Sequence, residues 1–334
     1  MERILLFIIL IFNLSHTKAQ DIVVDILQQG NSFADSSYYD IIKVQDKYWV
    51  GGKYGILKTL DAEGKIENIP YPSEGLDIYK LENLNDETIL ASGDKGTLYI
   101  HDLKTKLWKT IKVKNYENTC FYNLIVDNHK NIFLSGGNSK IAHSGKSIPN
   151  GFVLVSKDMG QTWQRIYKNT FNMVWCVKNN PFDEKIYGLM YTPNRTNLMV
   201  FENNKWVKKQ KLGNSIYHEV QFESKDKFVA TGGWVGKKGR IHNTDFKKVY
   251  NNTGLLWSRV KNDKYTLFTG CDGNIILETP DQKTLLHHTA LNMPFSIYEA
   301  IFINQNTAYA IGSGRTLLKI SISEKQNLEA KNQQ

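Results

Sequence analysis

A unit of about forty residues recurs seven times in this 334-residue chain, and a repeat of that length constrains the fold more than any local propensity does. Each copy opens on an apolar or aromatic residue followed by an aromatic one: Tyr38-Tyr39, Ile78-Tyr79, Phe121-Tyr122, Val174-Trp175, Ile216-Tyr217, Leu256-Trp257 and Ile297-Tyr298. The second members lie 40, 43, 53, 42, 40 and 41 residues apart. After the pair come polar turn residues, a short apolar run, a glycine-containing turn and a second apolar run, as in KYWVGGKYGILKT, ETILASGDKGTLYI and YTLFTGCDGNIILET. Short runs of β-branched and aromatic residues bounded by Gly, Asn and Asp are strands joined by hairpins. Most copies add one more short strand, such as LWKTIKV or TWQRIYK.

Four antiparallel strands per repeat, with no room for a long helix, specify the blades of a propeller around a central channel. A twisted blade has two apolar faces and covers neither by itself, so every face is buried only if the ring closes. The seventh copy ends in RTLLKISIS and then runs into EKQNLEAKNQQ, which is too polar for a fourth strand. The β-rich DIVVDILQQ belongs to no strand of the first blade, so Ile22–Leu27 is expected to pair with Arg315–Ile322 and close the ring as a monomer. The expected fold is all-β, a seven-bladed β-propeller over residues 20–323 with an N-terminal strand closing the last blade. A disordered polar tail is expected at 324–334.

The segment MERILLFIILIFNLSHTKA carries a basic residue, an apolar run from Ile4 to Leu14 and small residues before Gln20, the pattern of an export signal over residues 1–19. No later run reaches the roughly 18 apolar residues of a membrane span. The mature chain is therefore expected to be exported, periplasmic or secreted, without a transmembrane segment. Net charge is +9, or +8 without Glu2, Arg3 and Lys18, and the excess is lysine scattered singly, which favours solubility before any anionic partner. Nucleic acid is not an expected partner of an exported chain. Cys120, Cys176 and Cys271 are odd in number and widely spaced, so they make neither a stapled fold nor a metal site. His287-His288 has no Cys, Asp or Glu at ligand spacing, and no metal or cofactor is expected.

The stretch SKDMGQTW, Ser156 to Trp163, has the form Ser-x-Asp-x-Gly-x-Thr-Trp and resembles the Asp-box of sialidase-type (BNR) propellers. The resemblance implies a structural turn, made by Ser156, Asp158, Gly160, Thr162 and Trp163, on the side away from an active site. The glycine-containing turn in WVGGKYGILKTLDAEG, Trp49 to Gly64, is similar to the repeats of photosystem II assembly and stability-factor propellers, whose best-known members are non-enzymatic. Most blades lack the full Asp-box ending, so the resemblance is to an architecture and a loose superfamily.

In a propeller the loops before the first strand and between the second and third share one face, and function concentrates in such loops. The candidate partner-binding face comprises Lys53, Tyr54, Lys95, Arg195, Trp234, Lys237, Lys238, Arg240, Arg259 and Arg315, with His143 in the long insertion NSKIAHSGKSIPNG. Trp234, flanked by glycines and lysines, is expected to be presented to a partner. The repeated aromatics are expected to wedge between blades as core, each burying roughly 150–250 Å². The residues following them, Asp40, Lys80, Asn123, Cys176, His218, Ser258 and Glu299, are expected to decorate the channel. A sialidase needs three arginines on a carboxylate, a tyrosine beside a carboxylate and an acid aspartate. The nearest approach is Arg195, Arg240, Arg259 and Arg315 with Tyr217 and Glu219, or Tyr298 and Glu299, and no catalytic residue is assigned. The expected function is an exported non-enzymatic module that binds a protein partner in the cell envelope or outside it. The alternative is a propeller that binds or degrades carbohydrate, with an acidic glycan on its arginine-rich half.

Overall fold

The computed structural model describes residues 20–31, 36–70, 75–138, 151–169, 173–192, 195–234, 238–245, 247–251, 253–279, 284–288 and 295–324. Within them the strands, numbered β1 to β28 in chain order, form seven antiparallel sheets of four. Six sheets use four consecutive strands. The seventh is completed by β1 (Gln20–Gln28), which pairs with β28 (Leu317–Glu324), setting Ile22 opposite Ile322 and Ile26 opposite Leu318. This is the expected closure. The proposed leader (1–19) lies outside the described residues, as does the proposed tail apart from Glu324.

Burial follows the ring. Each of seven apolar clusters fills the seam between two adjacent blades. Tyr38, Ile41 and Val50 of the first blade pack on Tyr309, Ile311 and Leu317 of the last, and Ile22 of β1 joins the cluster shared by the last two. The innermost strands are β2 (Tyr38–Val44), β6 (Ile78–Asn85), β10 (Thr119–Val126), β14 (Met173–Asn179), β18 (Ile216–Phe222), β22 (Leu256–Lys261) and β26 (Ile297–Asn304). Each touches the next, and β26 returns to β2.

Every innermost strand carries a bulge at the same place. The pairing register skips Tyr39, Tyr79, Tyr122, Trp175, His218, Trp257 and Tyr298. A bulged residue is left out of the ladder and its side chain is re-aimed. The sequence expectation is corrected here in two ways. The first members of the pairs, such as Tyr38, Ile78 and Phe121, are the buried wedges, while the bulged second members turn toward the axis. In the fifth blade the pair is Tyr217-His218, one residue later than the repeat alone gave, so Tyr217 is core and Glu219 follows the bulge.

The recurring glycine has its cause in the same feature. Opposite the first member stand Gly52, Gly93, Gly136, Gly232, Gly270 and Gly312, with Met190 in the fourth blade. A Cβ on Gly52 would collide with the Ser37 carbonyl oxygen, and one on Gly232 with that of Ile216. Beyond the glycine, four blades turn through two consecutive left-handed residues: Tyr54-Gly55, Lys95-Gly96, Asp272-Gly273 and Gly314-Arg315. Such turns match the twist of a hairpin. The turns are tied to the loop entering the innermost strand, with Lys53 N donating to Ser37 O at 2.8 Å and Ser313 N to Ser296 O at 3.0 Å. Turns and channel mouth therefore share one face.

The stretch Ser156–Trp163 joins β12 (Gly151–Ser156) to β13 (Gln164–Asn169), between the third and fourth strands of its blade. Asp158 accepts hydrogen bonds from Ser156 Oγ at 2.8 Å, from Thr162 N at 2.8 Å and from Thr162 Oγ1. These bonds, Thr162's hydroxyl first, hold its carboxyl down to about 2. Trp163 Nε1 donates to Gly160 O, and Gly160 packs against Ile111.

Candidate functional site

The seven bulged side chains form a closed collar around the axis. Ring centroids are separated by 5.4 Å for Tyr39–Tyr79, 5.2 Å for Tyr79–Tyr122 and 6.2 Å for Tyr122–Trp175. The circle continues at 5.0 Å for Trp175–His218, 4.5 Å for His218–Trp257, 5.1 Å for Trp257–Tyr298 and 6.0 Å for Tyr298–Tyr39. The collar lines a cavity of about 340 Å³, with Lys80, Asn123, Cys176, Lys178, Glu219 and Glu299 completing its wall. The indole N–H groups of Trp175 and Trp257 are buried without a hydrogen-bond partner among the described residues.

Residues after the bulge stitch one innermost strand to the next. Asp40 Oδ2 accepts from Leu81 N at 2.7 Å, Asn123 Oδ1 from Val177 N at 3.0 Å and Glu219 Oε2 from Arg259 N at 2.8 Å. Asp40, fully buried, also pairs with Lys80 at 2.5 Å, and Lys80 lies 3.9 Å from Glu299. Burial opposes the Lys80 ammonium, but Asp40 and Glu299 outweigh it and hold its pKa above the lysine range. Burial and Lys80 oppose Lys178, which Glu219 and Glu82 nevertheless keep charged.

Glu299, Cys176 and His218 are pushed toward their neutral forms. Burial, then the nearby Glu219, raises Glu299 from 4.5 to about 7. Burial drives the Cys176 thiol up to about 11 and His218 down to about 3. At the mouth, Asp94 Oδ1 accepts from Tyr79 Oη at 3.1 Å and from Cys120 Sγ at 2.7 Å, and Asp77 Oδ1 from Tyr54 N at 2.9 Å. Burial raises Cys120 to about 12, helped by Asp94. All three cysteines are buried and unpaired. Among the described residues no group of three His, Cys, Asp or Glu is placed to hold a metal ion.

Among the described residues, none of those assigned to the face from sequence lines the cavity. Tyr54, 57% exposed, sits at a turn tip with Lys53 Nζ 4.7 Å from its ring, and Lys95 is exposed at the equivalent tip. Arg315 Nε donates to Ser36 Oγ at 2.6 Å. Arg195 and Lys238 are exposed, Arg240 is half-buried, and Trp234 is 37% exposed just after its strand. His143 and Lys237 lie outside the described residues. Arg259 departs from the expectation: it is 7% exposed and locked to the neighbouring strand, with Glu223 at 2.6 Å and Gln221 at 3.0 Å. It is a clamp between blades, not a surface cation. The collar itself, read as core in the sequence, is the feature that residue type alone missed. In six of the seven blades the glycine found 14 or 15 residues after the first member marks the bulge, and in the fifth blade that spacing selects Tyr217 over Ile216.

No protein-family model and no curated protein matches the sequence. Among solved structures, YCF48 bound to a D1 peptide is 12% identical with a TM-score of 0.65, covering 89% of this chain and 94% of that one. Virginiamycin B lyase from Staphylococcus aureus is 12% identical at a TM-score of 0.66, covering 90% and 99%. The WD40 propeller domain of Doa1 is 11% identical at 0.62, covering 91% and 98%. At such identities the likeness is one of fold. The chain is a seven-bladed β-propeller similar in architecture to YCF48 and to virginiamycin B lyase.

Proposed function

We propose that the chain is an exported, non-enzymatic recognition module that takes a segment of a partner protein into the mouth of its channel. The observation that carries this reading is the collar, seven rings set by seven bulges around an open cavity. Concave sites lined by aromatics with a few placed polar groups are where ligands bind, and large aromatic side chains dominate interface energetics. Acid–base catalysis asks for groups that exchange protons near neutral pH. Here the Cys176 thiol is held protonated and His218 neutral, while burial raises Glu299 to about 7. The peptide bound to YCF48 supports the reading by analogy of fold. Export rests on the apolar run from Ile4 to Leu14, and kinship with Asp-box-type repeats on the turn at Ser156–Trp163.

The sialidase-like alternative, built on an arginine-rich face, needs arginines at the reacting centre, and none of Arg195, Arg240, Arg259 and Arg315 lines the cavity. The test is affinity capture from native envelope extract with wild type, Trp257→Ala and the exposed control Lys109→Ala. A partner lost on Trp257→Ala but kept by Lys109→Ala is the expected result, with a mature chain that begins at Gln20. Hydrolysis of a glycoside by the purified protein, or glycan binding that depends on Trp257 in place of protein capture, would overturn the reading.

A further inference from the structure

The chemistry of the mouth runs against the charge of the molecule. The chain carries +9, yet the groups gathered at the axis are mostly acids: Asp40, Glu82, Glu219 and Glu299 in the channel and Asp77 and Asp94 at the rim. The channel lysines do not reverse this. Lys80 is bound to Asp40, and Lys178 is drawn on by Glu219 and Glu82. Lys53 at the rim lies over the Tyr54 ring. The remaining lysines are scattered over the surface, and at physiological salt charges more than about 8 Å away are largely screened. What a ligand meets on entering is an aromatic ring backed by carboxylates.

The dimensions fit a particular guest. Seven ring centroids spaced between 4.5 and 6.2 Å lie on a circle of about 6 Å radius, and about 6 Å is the reach within which an aromatic face attracts a cation. A positive group inside the circle would lie at about that distance from several ring centroids at once. The two sides of the collar also differ. Tyr298, Tyr39, Tyr79 and Tyr122 stand on the side of Asp77, Asp94 and Glu299, whereas Trp175 and Trp257 face them with buried, unpartnered N–H donors. The charge of a cation would go to the acidic tyrosine side.

We propose that the channel mouth is a receptor for the ammonium or guanidinium group of a lysine or arginine side chain on the partner's segment, held inside the aromatic collar with carboxylates beside and below it. This rests on the reading that the mouth receives a partner segment, and it adds the chemistry of what enters.

The test uses the intrinsic fluorescence of the full mature chain, titrated with acetyl-Gly-Lys-Gly-amide and its arginine, trimethyllysine and norleucine counterparts, and with tetramethylammonium chloride. The cationic tripeptides are expected to bind at least about tenfold more tightly than the norleucine peptide. Glu299→Gln and Trp257→Ala should each weaken them at least about fivefold, while Trp257→Phe, which keeps a ring, retains most of the binding and controls for folding. Equal or tighter binding of norleucine would make the mouth an apolar pocket and overturn the proposal. Tetramethylammonium binding without peptide binding would overturn the side-chain source. If no probe binds while partner capture still depends on Trp257, the cation proposal falls and the recognition reading stands. If cationic peptides bind while capture is indifferent to Trp257, the reverse holds.

Discussion

Glu299 of β26 is held among groups from four other strands: Lys80 of β6 at 3.9 Å, with Asp40 of β2, Lys178 of β14 and Glu219 of β18 also acting on it. Burial and Glu219 raise its pKa from 4.5 to about 7 in the folded chain. Between those values the unfolded chain has released a proton that the folded chain still holds. Stability present below pH 4.5 is therefore lost as pH rises through 7. Glu299→Gln cannot ionise, so its melting temperature relative to wild type is expected to rise from pH 4 to pH 8. Thermal melts across that range check the slope, and an unchanged difference would contradict it. Asp158 works the other way: its contribution is present above 3.8 and lost as pH falls through about 2, so it adds no slope in the same window. Asp158 was legible in the sequence because all its partners lie within four residues. Arg259 was not, because its burial depends on Glu219, Gln221 and Glu223, 36 to 40 residues away.

At the scale of the strand, the bulge does the positioning. It was half legible: the repeat located the aromatic pairs, but residue type could not say which member faced the core, since either suits an apolar seam. The glycine opposite settles the matter physically in most blades, because there the bulged backbone approaches too closely for a Cβ, as at Gly52, Gly136 and Gly232, whereas the fourth blade accommodates Met190. Gly232→Ala is expected to destabilise by about 2–4 kcal/mol through backbone displacement at Ile216 and Tyr217. His218→Tyr, at the bulge position that has no ladder partner, should change stability by less than about 1 kcal/mol. Urea denaturation of both variants measures the contrast, and equal losses would refute the role given to the bulge.

The whole molecule was the most legible level, because closure follows from counting apolar faces and finding one strand short at one end and one spare at the other. The spare strand, β1, is the seam of the ring. Val23 stands opposite Ser321 in that seam, and Val23 is largely exposed. A Val23→Cys, Ser321→Cys pair, once oxidised, is expected to stabilise by about 2–5 kcal/mol, chiefly by restricting the unfolded chain. Comparing melts of oxidised and reduced protein checks this, and no gain would mean that the seam is not where the ring opens. The unpaired collar positions carry a different consequence. Since they share no ladder bonds with the frame that carries them, each can change identity on its own. A propeller built this way can acquire a new taste one spoke at a time, without renegotiating its architecture.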